Sequence, residues 1–169
     1  MSDLVYIGLG SNLGDREQNL LFATQALARI DAAALLRHSA LFDSAAVGPR
    51  QPRFLNAVVE MECDLPPERL LTILKQIEAD LGRVPSEKWG PRAIDLDILL
   101  WGSTIVASPL LQVPHLHLHK RRFALEPLCQ LAPDARHPVL GVTIQELLQR
   151  APAQDVSRHV GALWPEAQP

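Results

Sequence analysis

Two aspartates separated by one residue, Asp95 and Asp97 in the run Arg92-Ala93-Ile94-Asp95-Leu96-Asp97-Ile98-Leu99-Leu100, have the type and spacing to hold hard cations. A segment so rich in Ile and Leu reads as a strand, in which successive side chains point to opposite faces. Ile94, Leu96 and Ile98 then share one face, and both carboxylates emerge from the other. At the usual rise per residue their Cα atoms stand roughly 6.5–7 Å apart, so the pair can converge on metal ions. Magnesium takes oxygen ligands of this kind one or two at a time and leaves its other positions to phosphates and water. An Asp-x-Asp alone is a short pattern that a merely solvated face also carries; its neighbours decide the case.

Those neighbours are basic. Arg92 immediately precedes the aspartate strand, and Pro114-His115-Leu116-His117-Leu118-His119-Lys120-Arg121-Arg122-Phe123 gathers three histidines and three cations. Lys120, Arg121 and Arg122 stand at the start of a helical segment, where positive charge is poorly placed unless an anion lies near. A phosphate-rich ligand would need such side chains, because carboxylates and phosphates together leave an excess of negative charge. The same stretch also permits a different chemistry. If His115, His117 and His119 alternate on one strand face, they have the spacing of zinc ligands for hydrolysis.

The elements that must position these groups follow from periodicity and turn signals. Leu4 to Leu9 reads as a strand closed by the turn-rich Gly10-Ser11-Asn12-Leu13-Gly14. A helix follows, with Asp15 as N-cap, Gln18 three residues on, and Leu20, Ala23, Leu27 and Ile30 at helical spacing. Leu35 to Asp43 and Phe54 to Cys63 read as strands, separated by the irregular Ser44 to Arg53 segment. A second helix begins near Pro67, carries Leu70, Ile73, Leu74, Ile77 and Leu81, and stops at Gly82. The irregular Arg83 to Pro91 segment leads into the aspartate strand. Short helical pieces follow at Phe123 to Leu131 and Thr143 to Leu148.

The order β-α-β-β-α-β is that of a ferredoxin-like α+β sandwich, an antiparallel sheet with two helices on one face and, here, additional short C-terminal helices. With helices on one side, strand alternation assigns Phe54, Asn56 and Val58 to the open face beside Asp95 and Asp97. It puts Gly8 and Gly10 there as a floor without side chains, while Leu55, Ala57, Val59 and Met61 face the helices. The outline is a pocket with an aromatic wall, an amide able to donate and accept, and two acids at its rim.

The chain of 169 residues, 47% of them hydrophobic, has the size of a single domain over residues 1–169, with a loosely held polar tail expected at 151–169. A formal charge of −3 argues against nonspecific binding to nucleic acid or an anionic membrane. No apolar run is long enough to cross a bilayer and no secretory signal is visible, so the expectation is a cytoplasmic protein. Cys63 and Cys129, far apart and in apolar surroundings, read as two buried free thiols.

Four motifs together resemble a known family. Gly10-Ser11-Asn12-Leu13-Gly14 after the first strand, Phe54-Leu55-Asn56-Ala57 opening the third, Trp89-Gly90-Pro91-Arg92-x-x-Asp95-Leu96-Asp97-Ile98, and Val113-Pro114-His115 through Arg121-x-Phe123 are similar to 6-hydroxymethyl-7,8-dihydropterin pyrophosphokinase. The resemblance runs from about Leu4 to Leu148. It implies a ferredoxin-like α/β sandwich and ATP-dependent transfer of diphosphate to the pterin hydroxymethyl group, releasing AMP, in folate biosynthesis. ATP would be the co-substrate, and two Mg²⁺ ions would be held by Asp95 and Asp97.

The resemblance also implies residue roles. Arg92, Asp95, Asp97 and Arg83 would be catalytic, and His115, Arg121, Arg92, Trp89 and Ile98 would bind nucleotide. Phe54, Asn56, Phe123, Ser44, Val47 and Gly10 would bind the pterin, with Phe54 and Phe123 as a clamp. The Ser44–Arg53 and Arg83–Pro91 loops would close as lids, and the protein would be a monomer with small-molecule partners only. Pro85, Leu110, Leu116 and Ala45-Ala46 depart from the family's pattern, none of them at the acids or at Arg92. Two rivals stand beside this reading: a pterin- or nucleotide-binding paralogue without turnover, and the zinc-dependent hydrolase using His115, His117 and His119.

Overall fold

Alternation along the first strand dictates the layers. In β1 (Asp3–Ser11) Val5, Ile7 and Leu9 point to one side while Tyr6, Gly8 and Gly10 point to the other. The computed structural model describes residues 3–82 and 90–166. After β1 come α1 (Arg16–Leu27), β2 (Ala33–His38), β3 (Leu41–Ser44), β4 (Phe54–Cys63), α2 (Pro67–Asp80) and β5 (Asp95–Trp101). A small hairpin of β6 (Val106–Ala107) and β7 (Gln112–Val113) follows, then a 3-10 turn at Leu118–Lys120, α3 (Arg122–Leu131), α4 (Ile144–Arg150) and β8 (Val156–His159). The main sheet runs β5-β1-β4-β3-β8, with β2 also paired to β4, and its pairings are antiparallel. This is the ferredoxin-like order expected from the sequence.

Both core helices form for the anticipated reasons. Asp15 caps α1 by accepting from the Gln18 N–H at 3.1 Å, and Leu20, Ala23 and Leu27 turn inward. Pro67 sits in the first turn of α2, and Gly82 takes the left-handed φ of +91° just past its end, a conformation that suits a residue without Cβ. Leu70, Leu74 and Ile77 of α2 join Leu20 and Leu27 against Val5, Ile7, Leu55, Val59, Leu96 and Ile98 in one continuous core.

The second sheet face is not left wholly open. Tyr6, Val58, Leu99 and Leu100 pack there with Leu118, Leu125, Leu128, Ile144 and Leu147 from the C-terminal helices, forming a second core. A bulge makes this possible: Ile7 pairs with Ile98 and Tyr6 with Leu100, so Leu99 is extra. Beyond it the alternation of β5 reverses. Trp101 therefore joins Leu96 and Ile98 in the helix-side core, while Leu99 stays on the face of the acids. A buried polar group anchors the covering layer. Glu60 accepts from Tyr6 Oη at 2.7 Å and from Arg37 Nε and Nη2, and Arg37 Nη2 also donates to the Leu131 carbonyl at the end of α3. The Arg37 bonds hold the Glu60 carboxyl below its ordinary pKa.

Two expectations require correction. The segment read as one strand from Leu35 to Asp43 is two, because Ser39 and Ala40 leave the ladder. Ser39 Oγ accepts the Val58 N–H at 2.9 Å, and the Ala40 N–H goes to Gln130 Oε1 of α3 at 2.7 Å. The stretch after Ala151 is not loosely held across residues 154–164. Val156–His159 pairs with β3 as β8, and the Glu17 carboxylate accepts the backbone N–H groups of Ala162, Leu163 and Trp164. The Trp164 indole donates to the Ser39 carbonyl at 2.9 Å and meets the His38 ring edge-on at 5.1 Å. Polar composition concealed this because the segment is held by ladder bonds and one aromatic anchor. Cys63 and Cys129 are free thiols, the first buried and the second half-buried.

Trp164→Ala is expected to lower the stability by about 2–4 kcal/mol, through lost packing and a lost indole hydrogen bond. Urea denaturation followed by circular dichroism measures it; an unchanged midpoint would mean that the segment contributes nothing to the fold.

Candidate functional site: a cleft between the two cores

The uncovered end of the second sheet face is a cleft, and the strand register builds its floor. Gly10 of β1 stands between Asp95 of β5 and Asn56 of β4; in the next row Gly8 stands between Asp97 and Val58. A Cβ at Gly8 would lie 3.2 Å from Leu99 Cδ1, so the bare position accommodates the bulged leucine. A Cβ at Gly10 would face Asn56 Oδ1 and Phe54 Cδ1, each at 3.5 Å, and would fill space now open to the cleft. The lining includes Ser44, Val47, Phe54, Asn56, Arg92, Asp95, Asp97, His115, Arg121 and Phe123. Eleven of the fourteen residues singled out from sequence thus meet around one cavity, counting Gly10.

One of the three exceptions has a physical reason. Ile98 is buried in the helix-side core, so its side chain cannot line the cleft and the backbone is all it presents on that side. Arg83 and Trp89, with Pro85, lie outside the described residues. The zinc arrangement is also corrected: His117 and His119 belong to the 3-10 turn and its cap, so the three histidines do not share a strand face. Among the described residues no group of three or more His, Cys, Asp and Glu is placed to hold a metal ion.

The two acids differ in environment. Arg92 Nη1 donates to Asp95 Oδ1 at 3.1 Å, and both groups are partly exposed. Asp97, in the next row and also half-buried, has more protein packed around its carboxyl. Desolvation, then the charge of Asp95, pushes its pKa up to about 7, against the opposing pull of Arg121. Two carboxylates, one of them raised because its charge is under-compensated, form an oxygen-only donor pair that a divalent cation would complete. Residues of this kind fit magnesium and not a softer metal.

The basic side is equally differentiated. Of Lys120, Arg121 and Arg122, Arg121 lines the cleft, its Cζ 5.7 Å from the centre of the Phe123 ring. Arg122 instead ties α3 to the following chain through the carbonyls of Leu148 and Ala151, and pairs with Glu126 one turn on in the same helix. Burial, with help from Arg121, drops the His115 pKa to about 4, so near neutral pH this ring is uncharged. Its Nδ1 accepts the His117 N–H at 3.1 Å, which leaves the ring proton on Nε2. His115 is therefore a neutral hydrogen-bond donor, and among the described residues the cationic side chains lining the cleft are Arg92 and Arg121.

Asn56 departs from expectation in one respect. Its amide donates to the Phe42 carbonyl at 3.1 Å and to Ser44 Oγ at 2.8 Å, so its donors are committed and Oδ1 is the atom turned toward Gly10 and the cleft. A residue given no role from sequence, Asn12, holds the rim together. Its backbone N–H donates to the Arg92 carbonyl, its Oδ1 accepts the Arg92 N–H at 2.7 Å, and its Nδ2 donates to Gln51 Oε1 and the Pro52 carbonyl. The turn after β1, the Ser44–Arg53 loop and the approach to β5 are thereby pinned at one amide. The signal in the sequence was its place in the Gly10–Gly14 turn; three long-range partners were not visible there.

The fold and cleft define a class: a ferredoxin-like α/β protein whose sheet face presents a carboxylate pair, two arginines and an aromatic recess, suited to a polyphosphate beside a flat polar ring. Comparison with known proteins narrows this. The family model described as 7,8-dihydro-6-hydroxymethylpterin-pyrophosphokinase matches residues 6–133. A 2-amino-4-hydroxy-6-hydroxymethyldihydropteridine pyrophosphokinase of Pseudomonas aeruginosa is 42% identical over 96% of this chain and 100% of its own length. One of Aquifex aeolicus is 39% identical over 84% of this chain and 88% of its own. The solved structure of wild-type Plasmodium falciparum HPPK-DHPS superposes with a TM-score of 0.70 at 14% identity, covering 89% of this chain and 45% of that longer one. The chain belongs to the 7,8-dihydro-6-hydroxymethylpterin-pyrophosphokinase family.

The two perturbed groups give opposite pH signatures. The folded Asp97 keeps its proton to about 7, whereas an unfolded aspartate releases it from 3.8. Its stabilising contribution is therefore full below about 4 and lost as pH rises toward 7. His115, depressed from 6.5 to about 4, contributes stability above 6.5 that is lost as pH falls. In metal-free protein Asp97→Asn should leave the histidine dependence and remove the other, so the melting temperature of the variant relative to wild type climbs between pH 4 and 7. Parallel thermal-shift curves for the two proteins would show that Asp97 is not held protonated.

Proposed function

We propose that this cleft is where the family's reaction takes place: ATP-dependent transfer of a diphosphoryl group to the hydroxymethyl oxygen of 6-hydroxymethyl-7,8-dihydropterin, with release of AMP, a step of folate biosynthesis. The observation that carries this is the pair of adjacent rows Asp95-Gly10-Asn56 and Asp97-Gly8-Val58, which sets two carboxylates on one side of the bare glycines and Asn56, with Phe54 beside Gly10, on the other. In the reaction the pterin hydroxyl oxygen attacks the β-phosphorus, and a new P–O bond forms while the bond to the α-β bridging oxygen breaks. AMP departs with that oxygen, and the hydroxyl proton passes to solvent or a base.

Asp95 and Asp97 would hold two Mg²⁺ ions. Bound there, divalent metal neutralises phosphate charge and polarises the phosphorus under attack. Arg92, fixed through its backbone by Asn12 and through its guanidinium by Asp95, meets phosphate oxygens without having to be ordered first. Arg121 supplies the second positive charge against departing AMP, and His115 Nε2–H a neutral hydrogen bond. Phe54 and Phe123 take the two faces of the pterin. Asn56 Oδ1 accepts from an N–H on its edge, and Gly10 leaves room for the ring. Ser44 holds the Asn56 amide in that orientation, and Val47, exposed on its loop, closes over the ring. The proposal also gives Arg83 and Trp89, and the backbone at Ile98, contacts to the nucleotide.

A cytoplasmic monomer using small-molecule substrates alone belongs to the same proposal, supported by the family resemblance; no helix among the described residues is long and apolar enough to cross a membrane. A binding protein without turnover would use the same carboxylates and arginines but form no AMP, so product analysis separates the two. Incubation with ATP, Mg²⁺ and 6-hydroxymethyl-7,8-dihydropterin should yield AMP and no ADP. Asp97→Ala should lower AMP formation by about a thousandfold or more while circular dichroism stays native. AMP formation at the wild-type rate in that variant would refute the assignment.

A further inference from the structure

The chain beyond residue 150 lies past the segment matched by the family model, yet it reaches the cleft from behind. Gln154 is the point of contact. Its Oε1 accepts the Phe123 N–H at 3.1 Å, and its Nε2 donates to the Ala45 carbonyl at 3.3 Å. Phe123 stands in the first turn of α3, whose N-cap residue Arg121 offers no side-chain capping bond, so Gln154 satisfies an N–H that the helix leaves without an internal partner. Ala45 follows Ser44 on the opposite wall. One amide therefore ties the helix that carries one aromatic wall to the loop on the other side of the cleft.

The next residue reinforces the tie. The Asp155 carbonyl accepts the Ala45 N–H at 3.0 Å, so Ala45 is held through both its backbone groups by consecutive residues. Asp155 Oδ2 accepts from Arg53 Nη1 at 2.7 Å, and Arg53 also bonds Asp43 and directly precedes Phe54. From there β8 pairs with β3, and the Glu17 and Trp164 contacts anchor its far end. The strap is thus fixed at one end to the core and at the other to the backbone of the recess.

We propose that Gln154 is a positioning residue for the pterin, acting through Phe123 and Ala45 to set the width of the recess, with Asp155 holding the same loop. This rests on the functional reading above. Without the Gln154 amide, Phe123 and the Ala45 loop lose their common support, and the cost falls on the substrate that must fit between the aromatic walls. The phosphate-binding groups keep supports that Gln154 does not share: Arg92, Asp95 and Asp97 are held by Asn12 and by the β1 ladder, and the backbones of His115 and Arg121 by the carbonyls of Leu99 and Leu118.

The test compares wild type, Gln154→Ala and the nearly isosteric Gln154→Met, which keeps the packing and removes both hydrogen bonds. Ser157→Ala, on the exposed part of β8, is the control. Titration calorimetry with 6-hydroxymethyl-7,8-dihydropterin in the presence of Mg²⁺ and a non-hydrolysable ATP analogue, and with the analogue alone, reads the two substrates separately. For both Gln154 variants we expect pterin affinity to fall about tenfold, with nucleotide affinity within about twofold of wild type and the control unchanged. The KM for pterin should rise by the same factor while the KM for ATP stays put. Unchanged pterin binding, or equal weakening of both ligands, overturns the inference; the latter would mean a general loss of structure, which the methionine variant and melting temperatures identify. A wild-type protein that binds pterin and nucleotide but forms no AMP would refute the proposed reaction and leave the Gln154 comparison readable by calorimetry. Wild type that binds no pterin would refute both.

Discussion

Like charge forced together in a poorly solvated cleft is the constraint around which this molecule is arranged. Asp95 and Asp97 leave the same face of β5, and one is raised in pKa by burial and by its neighbour. Folding with such a pair costs stability, so the surrounding structure must hold the acids where they are. The β1 ladder sets their register, Glu78 of α2 accepts the Leu96 N–H between them at 2.9 Å, and Arg92 meets Asp95 from the side. Strain of this kind persists where ligand binding relieves it, and a divalent cation with a polyphosphate would do so.

The two cores divide the work. The helix-side core, with Leu20, Leu27, Leu70 and Leu74 on the strands, is the ordinary business of a ferredoxin-like sandwich. The second core covers only part of the other sheet face, and its boundary is where the cleft begins. The bulge at Leu99 is the local device that permits both. It sends Trp101 back to the first core, lets Leu99 lean over Gly8, and leaves Asp95 and Asp97 at the uncovered end.

Around the cleft, neutral hydrogen-bonding groups do as much as charges. Asn12 clasps three rim segments, Asn56 commits its donors to the protein so that its oxygen faces inward, and His115 is held uncharged with its proton on Nε2. Each fixes a neighbour's geometry in advance, which suits a reaction in which positioning and electrostatics supply most of the rate. Among the described residues, positive charge at the cleft is then left to Arg92 and Arg121, whose guanidinium groups match phosphate geometry.

The residue pattern alone determined the strand alternation that pairs Asp95 with Asp97, the bare Gly8 and Gly10, the shared face of Phe54 and Asn56, and the β-α-β-β-α-β order of the central unit, because each follows from local periodicity and turn chemistry. Tertiary structure decided what depends on partners distant in the chain. Ser39 and Ala40 break a strand because Val58 and Gln130 claim their polar groups; the last segment is ordered by β3, Glu17 and Ser39; His115, His117 and His119 are parted by a 3-10 turn. Ile98 shares a motif with the acids and yet faces the other core, as alternation requires. Periodicity reports which face a side chain takes, but hydrogen bonds across more than a hundred residues, such as those from Gln154 to Ala45 and Trp164 to Ser39, exist only once the chain has closed on itself.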